Sequence, residues 1–178
     1  MRLIALLVAF VLVIAVPASA TAILPGVWYG SIWSGPAPAT LGAGSSGTGP
    51  AGTAFFDPGA GPWTVTVVGG GYSLLVVDCC ASGDRFEVFD FGSSLGLTSA
   101  SAPGATFCDD PVLCLADPGF SQGSFPLADG SYSFSITTVS GSQSFGEAFF
   151  TVAAVPEPGT LGLVFLAGSA LLAFRRRL

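Results

Sequence analysis

The sequence contains no histidine, no lysine and no asparagine, and charged residues make up only 9% of it. Each absence removes a class of chemistry. Without imidazole there is no Ser-His-Asp or Cys-His catalytic group. Without lysine there is no Schiff base and no Ser-Lys pair. Histidine-ligated zinc and asparagine-linked glycans are excluded as well. Basic residues are also missing from the middle of the chain. Between residues 21 and 155 one base, Arg85, stands against ten acids. Such a segment repels nucleic-acid phosphates and anionic membrane surfaces, so no nucleic-acid partner is expected.

The two ends differ from the middle. Residues 1–20 carry a cationic start at Arg2, an apolar run from Leu3 to Val16, a helix-breaking Pro17, and the small residues Ala18, Ser19 and Ala20. That order is that of a secretory signal peptide, with signal peptidase cleaving between Ala20 and Thr21. At the other end, Thr160 to Phe174 is a 15-residue stretch without charge, followed by Arg175, Arg176 and Arg177. As a helix it would span about 22 Å, short of the roughly 30 Å hydrocarbon core. The arginines offset part of that mismatch by snorkelling, and they hold the C-terminus on the cytoplasmic side.

Just before this stretch stands Pro156-Glu157-Pro158. The tripeptide, the short apolar helix and the arginine cluster together resemble a PEP-CTERM sorting signal of Gram-negative bacteria, over residues 156–178. The resemblance implies an exported protein, cut near the tripeptide by an exosortase, a membrane cysteine peptidase. It implies transient inner-membrane anchoring, then release to the cell envelope or the extracellular space. The class is associated with exopolysaccharide and biofilm, which makes exopolysaccharide a partner the resemblance suggests. Physically, two prolines keep the backbone extended and out of a helix, leaving the bond between them and the membrane accessible.

Residues 21–155 have the length of a single domain. Gly, Ser, Thr and Pro interrupt short apolar stretches at close intervals, the rhythm of an all-β sandwich. Strands are expected at Ala54–Phe56, Trp63–Val67, Tyr72–Asp78, Arg85–Phe91, Ser131–Val139 and Ala148–Val152. In the third of these nearly every residue is apolar, as for a strand covered on both faces. Gly69–Gly71 marks a turn, and residues 37–52, low in bulk, suggest a flexible loop. The segments Val76–Gly92, Leu95–Ser99 and Gly146–Phe150 are similar to jelly-roll-like β-sandwich domains of exported proteins. That likeness implies a fold and no activity.

Four cysteines in an exported chain point to disulfides: Cys79, Cys80, Cys108 and Cys114. Neighbours on a strand face opposite ways, which favours Cys79 or Cys80 bonding to Cys108. The competing arrangement closes Cys108–Cys114 on itself, with the adjacent pair joined or free. The spacings are not C-x-x-C, which argues against a redox or cysteine-metal role. No cofactor is implied.

Two motifs match only in letters. Gly92-Ser93-Ser94-Leu95-Gly96 fits the nucleophile elbow but has no helix after it and no histidine anywhere. Gly42–Gly47 fits a dinucleotide loop but follows no strand. Asp109, Asp110, Asp117 and Asp129 are candidate calcium ligands, weighed against simple turn chemistry. Trp28, Tyr29, Trp33 and Trp63 offer a sugar-stacking surface, or else core. The reading that follows is an exported, non-enzymatic surface or matrix protein, structural or adhesive, with carbohydrate binding as the alternative.

Overall fold

The computed structural model describes residues 20–101, 107–141 and 143–155. Their regular structure is nearly all β. Along the chain come β1 (Thr21–Ala22), β2 (Trp28–Ser34), β3 (Ala39–Thr40), β4 (Gly44–Ser45), β5 (Gly47–Thr48), β6 (Ala54–Phe56), β7 (Trp63–Val67) and β8 (Tyr72–Asp78). Then follow β9 (Cys80–Ala81), β10 (Arg85–Asp90), β11 (Ser93–Leu97), β12 (Phe107–Cys108), the short helix α1 (Pro111–Ala116), β13 (Gln122–Leu127), β14 (Gly130–Ser140) and β15 (Phe145–Ala154). Among the described residues no helix is long and apolar enough to cross a membrane.

One sheet runs β1-β7-β14-β10-β11, with β3 beside β14. The other runs β13-β8-β15-β2-β6-β5, with β4 beside β2. Long strands pair in a nested way: β2 with β15, β7 with β14, β8 with β13, and β10 with β11, all antiparallel. The first therefore meets the last, and the innermost pair is a hairpin. A single apolar cluster takes side chains from both sheets, including Trp63, Phe86, Phe134 and Ile136 from one and Trp33, Leu74, Val76 and Phe150 from the other. Aromatic rings lock the two sheets together, Trp33 edge-on to Phe86 at 5.6 Å and Trp63 against Phe150 at 4.7 Å.

The alternation seen in the sequence explains these strands. Trp63, Val65 and Val67 point inward, as do Phe86 and Val88, and Phe134 and Ile136. Strand β8 is indeed covered on both faces. Leu74 and Val76 enter the main core, while Val77 joins a second cluster with Phe55, Cys79, Cys114, Phe120 and Phe149 on the outer side of its sheet.

Three expectations are corrected. Residues 37–52 form β3, β4 and β5 and bury Leu41, where a loop was expected. They lack bulk because β4 lies on β2 so closely that a Cβ at Gly44 would strike the Gly30 carbonyl. Asp57 fixes this segment, its Oδ1 accepting the Gly44 and Gly59 amides at 2.8 Å. Second, α1 is a helix within a region that showed no helical period. It is six residues long, too short for periodicity, and is set by Asp110 at the N-cap with Pro111 behind it. Third, β13 was not foreseen, because Gly123 and Pro126 interrupt it. It lies at the edge of its sheet, where a missing amide is tolerated.

Candidate functional site

At its C-terminal end β8 delivers Asp78, Cys79 and Cys80 to one corner of the molecule. The chain there leaves one sheet for the small β9–β12 ladder, in which Cys80 stands opposite Cys108. The expected bond from Cys79 or Cys80 to Cys108 is not formed; the competing arrangement is found, with Cys79 joined to Cys80 and Cys108 to Cys114. Helix α1 folds back to bring Cys114 within 5.6 Å of Cys108, Cα to Cα, an ordinary disulfide span. Cys80 adopts φ 67°, a left-handed conformation that breaks the strand alternation and lets adjacent side chains meet.

Strand β15 supplies the third member of this corner. Glu147 lies beside Ile32 of β2, and its backbone carbonyl accepts the Cys79 amide at 3.1 Å. Its side chain is half-buried. Oε1 accepts the Ser45 hydroxyl at 2.5 Å, while Oε2 lies 4.0 Å from the sulfur of Cys79 and 4.0 Å from that of Cys80. Gly30 makes room for this carboxylate, since a Cβ there would meet Oε1. Burial raises the Glu147 pKa above its usual range, and the Ser45 hydrogen bond opposes that rise. The two sulfurs and one carboxylate oxygen all lie within 4.8 Å of one another.

Two clefts open on this corner. The larger, about 330 Å³, is lined by Ile32, Trp33, Ser34, Cys80, Phe145, Gly146 and Glu147. The smaller, about 180 Å³, reaches Cys79, Cys80 and Asp84. Trp33 lies so close to β15 that a Cβ on Gly146 would collide with its indole, and its buried Nε1 has no hydrogen-bond partner among the described residues.

Behind the cysteines Asp78 is fully buried. Its Oδ2 accepts the amides of Gly83 and Asp84 at 3.0 and 3.1 Å, and its Oδ1 has no partner among the described residues. Burial, with the neighbouring Asp84 charge adding to it, pushes its pKa up to about 8 against the opposing pull of those amides.

The other candidates resolve toward structure. The carboxylate of Asp110 accepts the amides of Val112 and Leu113 on α1 and of Ala51 and Thr53 from the facing loop. Burial opposes its ionisation, but these bonds outweigh burial and hold its pKa below the usual range. Asp117 and Asp129 accept the amides of Gly119 and Gly70, which is turn chemistry. Trp33, Trp63 and Tyr29 are core residues, and Trp28 is half-buried. Ser94 lies in β11 and donates to Glu87 at 2.6 Å, far from any elbow. Arg85 donates through Nε to the Thr98 carbonyl at 2.9 Å.

The sequence reading passed over Asp78 and Glu147. Their signal was present: each is a lone acid embedded in an apolar strand, which is unusual for an unpaired charge.

The termini complete the picture. Ala18, Pro156, Glu157, Pro158, the Thr160–Phe174 stretch and Arg175, Arg176 and Arg177 lie outside the described residues. Residues 154–177 match the PEP-CTERM protein-sorting motif. The chain carries an exosortase sorting signal. The PEP-CTERM signal begins two residues before the proline pair, at the last residue of β15. It implies export and membrane-associated sorting, with processing by an exosortase. No curated protein and no solved structure matches the chain.

Proposed function

We propose that this is an exported precursor whose β domain is released to the cell envelope or the extracellular matrix, where it plays a structural or adhesive, non-enzymatic part. The PEP-CTERM match carries this reading. The fold adds support at both ends. Strand β1 starts at Thr21, directly after the expected signal-peptidase site at Ala18–Ala20, and the Thr21 amide donates to Pro62 at 3.0 Å. A free amino terminus there keeps a donor. Strand β15 closes at Ala154, so every strand among the described residues precedes Pro156. Two disulfides fit an oxidising compartment. The nested antiparallel pairs and the core shared by two sheets support a jelly-roll-like β-sandwich, the rolled form of two Greek keys. The carbohydrate-binding alternative has less behind it, since Trp33 and Trp63 are buried.

The test is mass spectrometry of the protein made in a Gram-negative host with and without its exosortase. With the peptidase, the expected product begins at Thr21 and ends near Pro156–Pro158. A Pro156→Ala/Pro158→Ala variant is expected to keep its C-terminus. A wild-type product that still carries Phe174 and Arg175–Arg177 would sink the reading. Loss of cell aggregation on deleting the gene supports the adhesive role. Glycan binding that disappears with Trp28→Ala favours the carbohydrate reading instead.

A further inference from the structure

The corner formed by β8, β9 and β15 holds chemistry that sorting does not use. We propose that the Cys79–Cys80 disulfide is reducible, and that its dithiol form binds one thiophilic divalent cation, of which Zn²⁺ is the type, with Glu147 as third ligand.

The geometry fits. A tetrahedral zinc with sulfur at about 2.3 Å and oxygen at about 2.1 Å sets sulfur–oxygen separations of about 3.6 Å. Glu147 Oε2 stands 4.0 Å from each of the two sulfurs, so the carboxylate needs only a small shift, while reduction lets the sulfurs part from bonding distance to the roughly 3.8 Å that a tetrahedral ion sets. The carboxylate is divided in its task. Ser45 holds Oε1, which leaves Oε2 aimed at the sulfurs, the kind of outer contact that orients a metal ligand. A fourth coordination position is left for water or a small ligand from the larger cleft.

The disulfide is also expendable. Cys108–Cys114 ties α1 to β12, whereas Cys79–Cys80 closes a loop of two adjacent residues and restricts the unfolded chain little. Opening it frees Cys80 from a left-handed conformation that a non-glycine residue adopts at a cost. Access is through Cys80, which lines both clefts, while Cys79 is buried. The electron donor is an external dithiol. One of its thiolates attacks Cys80 Sγ, the Cys79–Cys80 bond breaks, and Cys79 leaves with the electron pair and takes up a proton. The donor's second thiolate then attacks its own sulfur in the mixed disulfide and releases Cys80, which is protonated in turn. The donor ends as a disulfide, and two electrons and two protons have passed to the pair. Metal binding releases both thiol protons.

The experiment uses the full-length chain in detergent, reduced with a phosphine and titrated without oxygen with Co²⁺ and then Zn²⁺. The expected result is one equivalent of Co²⁺ with thiolate-to-cobalt charge-transfer absorption, displaced by Zn²⁺ and absent before reduction. Cys80→Ser is expected to abolish the band, and Cys108→Ser/Cys114→Ser to keep it. Glu147→Gln, of nearly equal volume, is expected to weaken Co²⁺ binding about tenfold or more. A reduced wild-type chain without the band overturns the site, as does a band that survives Cys80→Ser. Unchanged affinity in Glu147→Gln also overturns it, and that variant decides the matter even where a cysteine change disturbs folding.

Discussion

Asp78 shows what a single residue does to this fold. Its carboxyl is sealed at the end of β8 beside Asp84, and it is held neutral up to about pH 8. An unfolded aspartate ionises near 3.8. Between those values the unfolded chain has lost the proton that the native chain keeps. The contribution of Asp78 is therefore full below about pH 4 and declines as pH rises toward 8, by up to about 1.4 kcal/mol per pH unit. Asp78→Asn keeps an oxygen for the Gly83 and Asp84 amides and has nothing to ionise. Guanidinium midpoints are expected to fall from pH 5 to pH 8 in the wild type and to change less in the variant, which becomes the more stable of the two at pH 8. An equal pH slope in both would show that Asp78 is ionised in the native state. Asp110 is the contrasting case. Its residue is also closed to solvent, and four backbone amides hold its charge. The difference lies in the stronger desolvation of Asp78 and the Asp84 charge beside it, against the ring of donors around Asp110. Local sequence does not display it, because two of the four donors to Asp110 come from the 51–53 loop. For the same reason the disulfide partners were not legible. Cys108 has Cys80 opposite it in the ladder and Cys114 brought to it by α1, and spacing along the chain does not choose between them.

Among the elements, the hairpin β10–β11 carries an avoidable cost. Asp90 pairs with Ser93, so Phe91 and Gly92 alone make the turn, with φ values of 45° and 80°. A two-residue hairpin with both central residues at positive φ favours Asn-Gly, and a phenylalanine is strained there. Phe91 is also 69% exposed, so little packing offsets the strain. Phe91→Asn is expected to raise stability by about 0.5–1 kcal/mol, read as a higher denaturation midpoint with an unchanged slope. A lower midpoint would mean that the phenyl ring packs in solution. Elements of this kind were the readable part of the fold. Strands β7, β10 and β14 alternate strictly, because one face is wet and the other enters the core. Strand β8 was recognisable from its continuous apolar run. What escaped were elements defined by close backbone approach: β4 and β5, built of Gly, Ser and Thr, and β13 with its internal proline. Their side chains bury too little to leave a pattern.

For the whole molecule, the expected boundary between cargo and signal lies close after β15. Strand β15 lies between β2 and β8, and it buries Phe149, Phe150 and Val152. The Phe150 ring stacks on its cross-strand neighbour Tyr29 at 5.5 Å and meets Trp63 of the opposite sheet at 4.7 Å, centroid to centroid. Each such side chain contributes about 1.5–3 kcal/mol on burial, so three of them rival the entire 5–15 kcal/mol by which a domain is usually stable. The last described backbone bond runs from the Val155 amide to the Gly71 carbonyl at 2.5 Å, one residue before Pro156. Proline has no amide to extend that ladder. A peptidase acting near the tripeptide thus cuts beyond the last backbone bond of the described residues, and removal of the signal is expected to leave the sheet intact. A mature chain of residues 21–155 is expected to melt cooperatively, within a few degrees of a 21–178 chain held in detergent. A chain stopped at Ser144, which lacks β15, is expected to show no cooperative transition. Calorimetry of the three chains checks this. A 21–155 chain that fails to fold would mean that the sorting segment belongs to the folding unit, and the separation of cargo from signal would then be wrong.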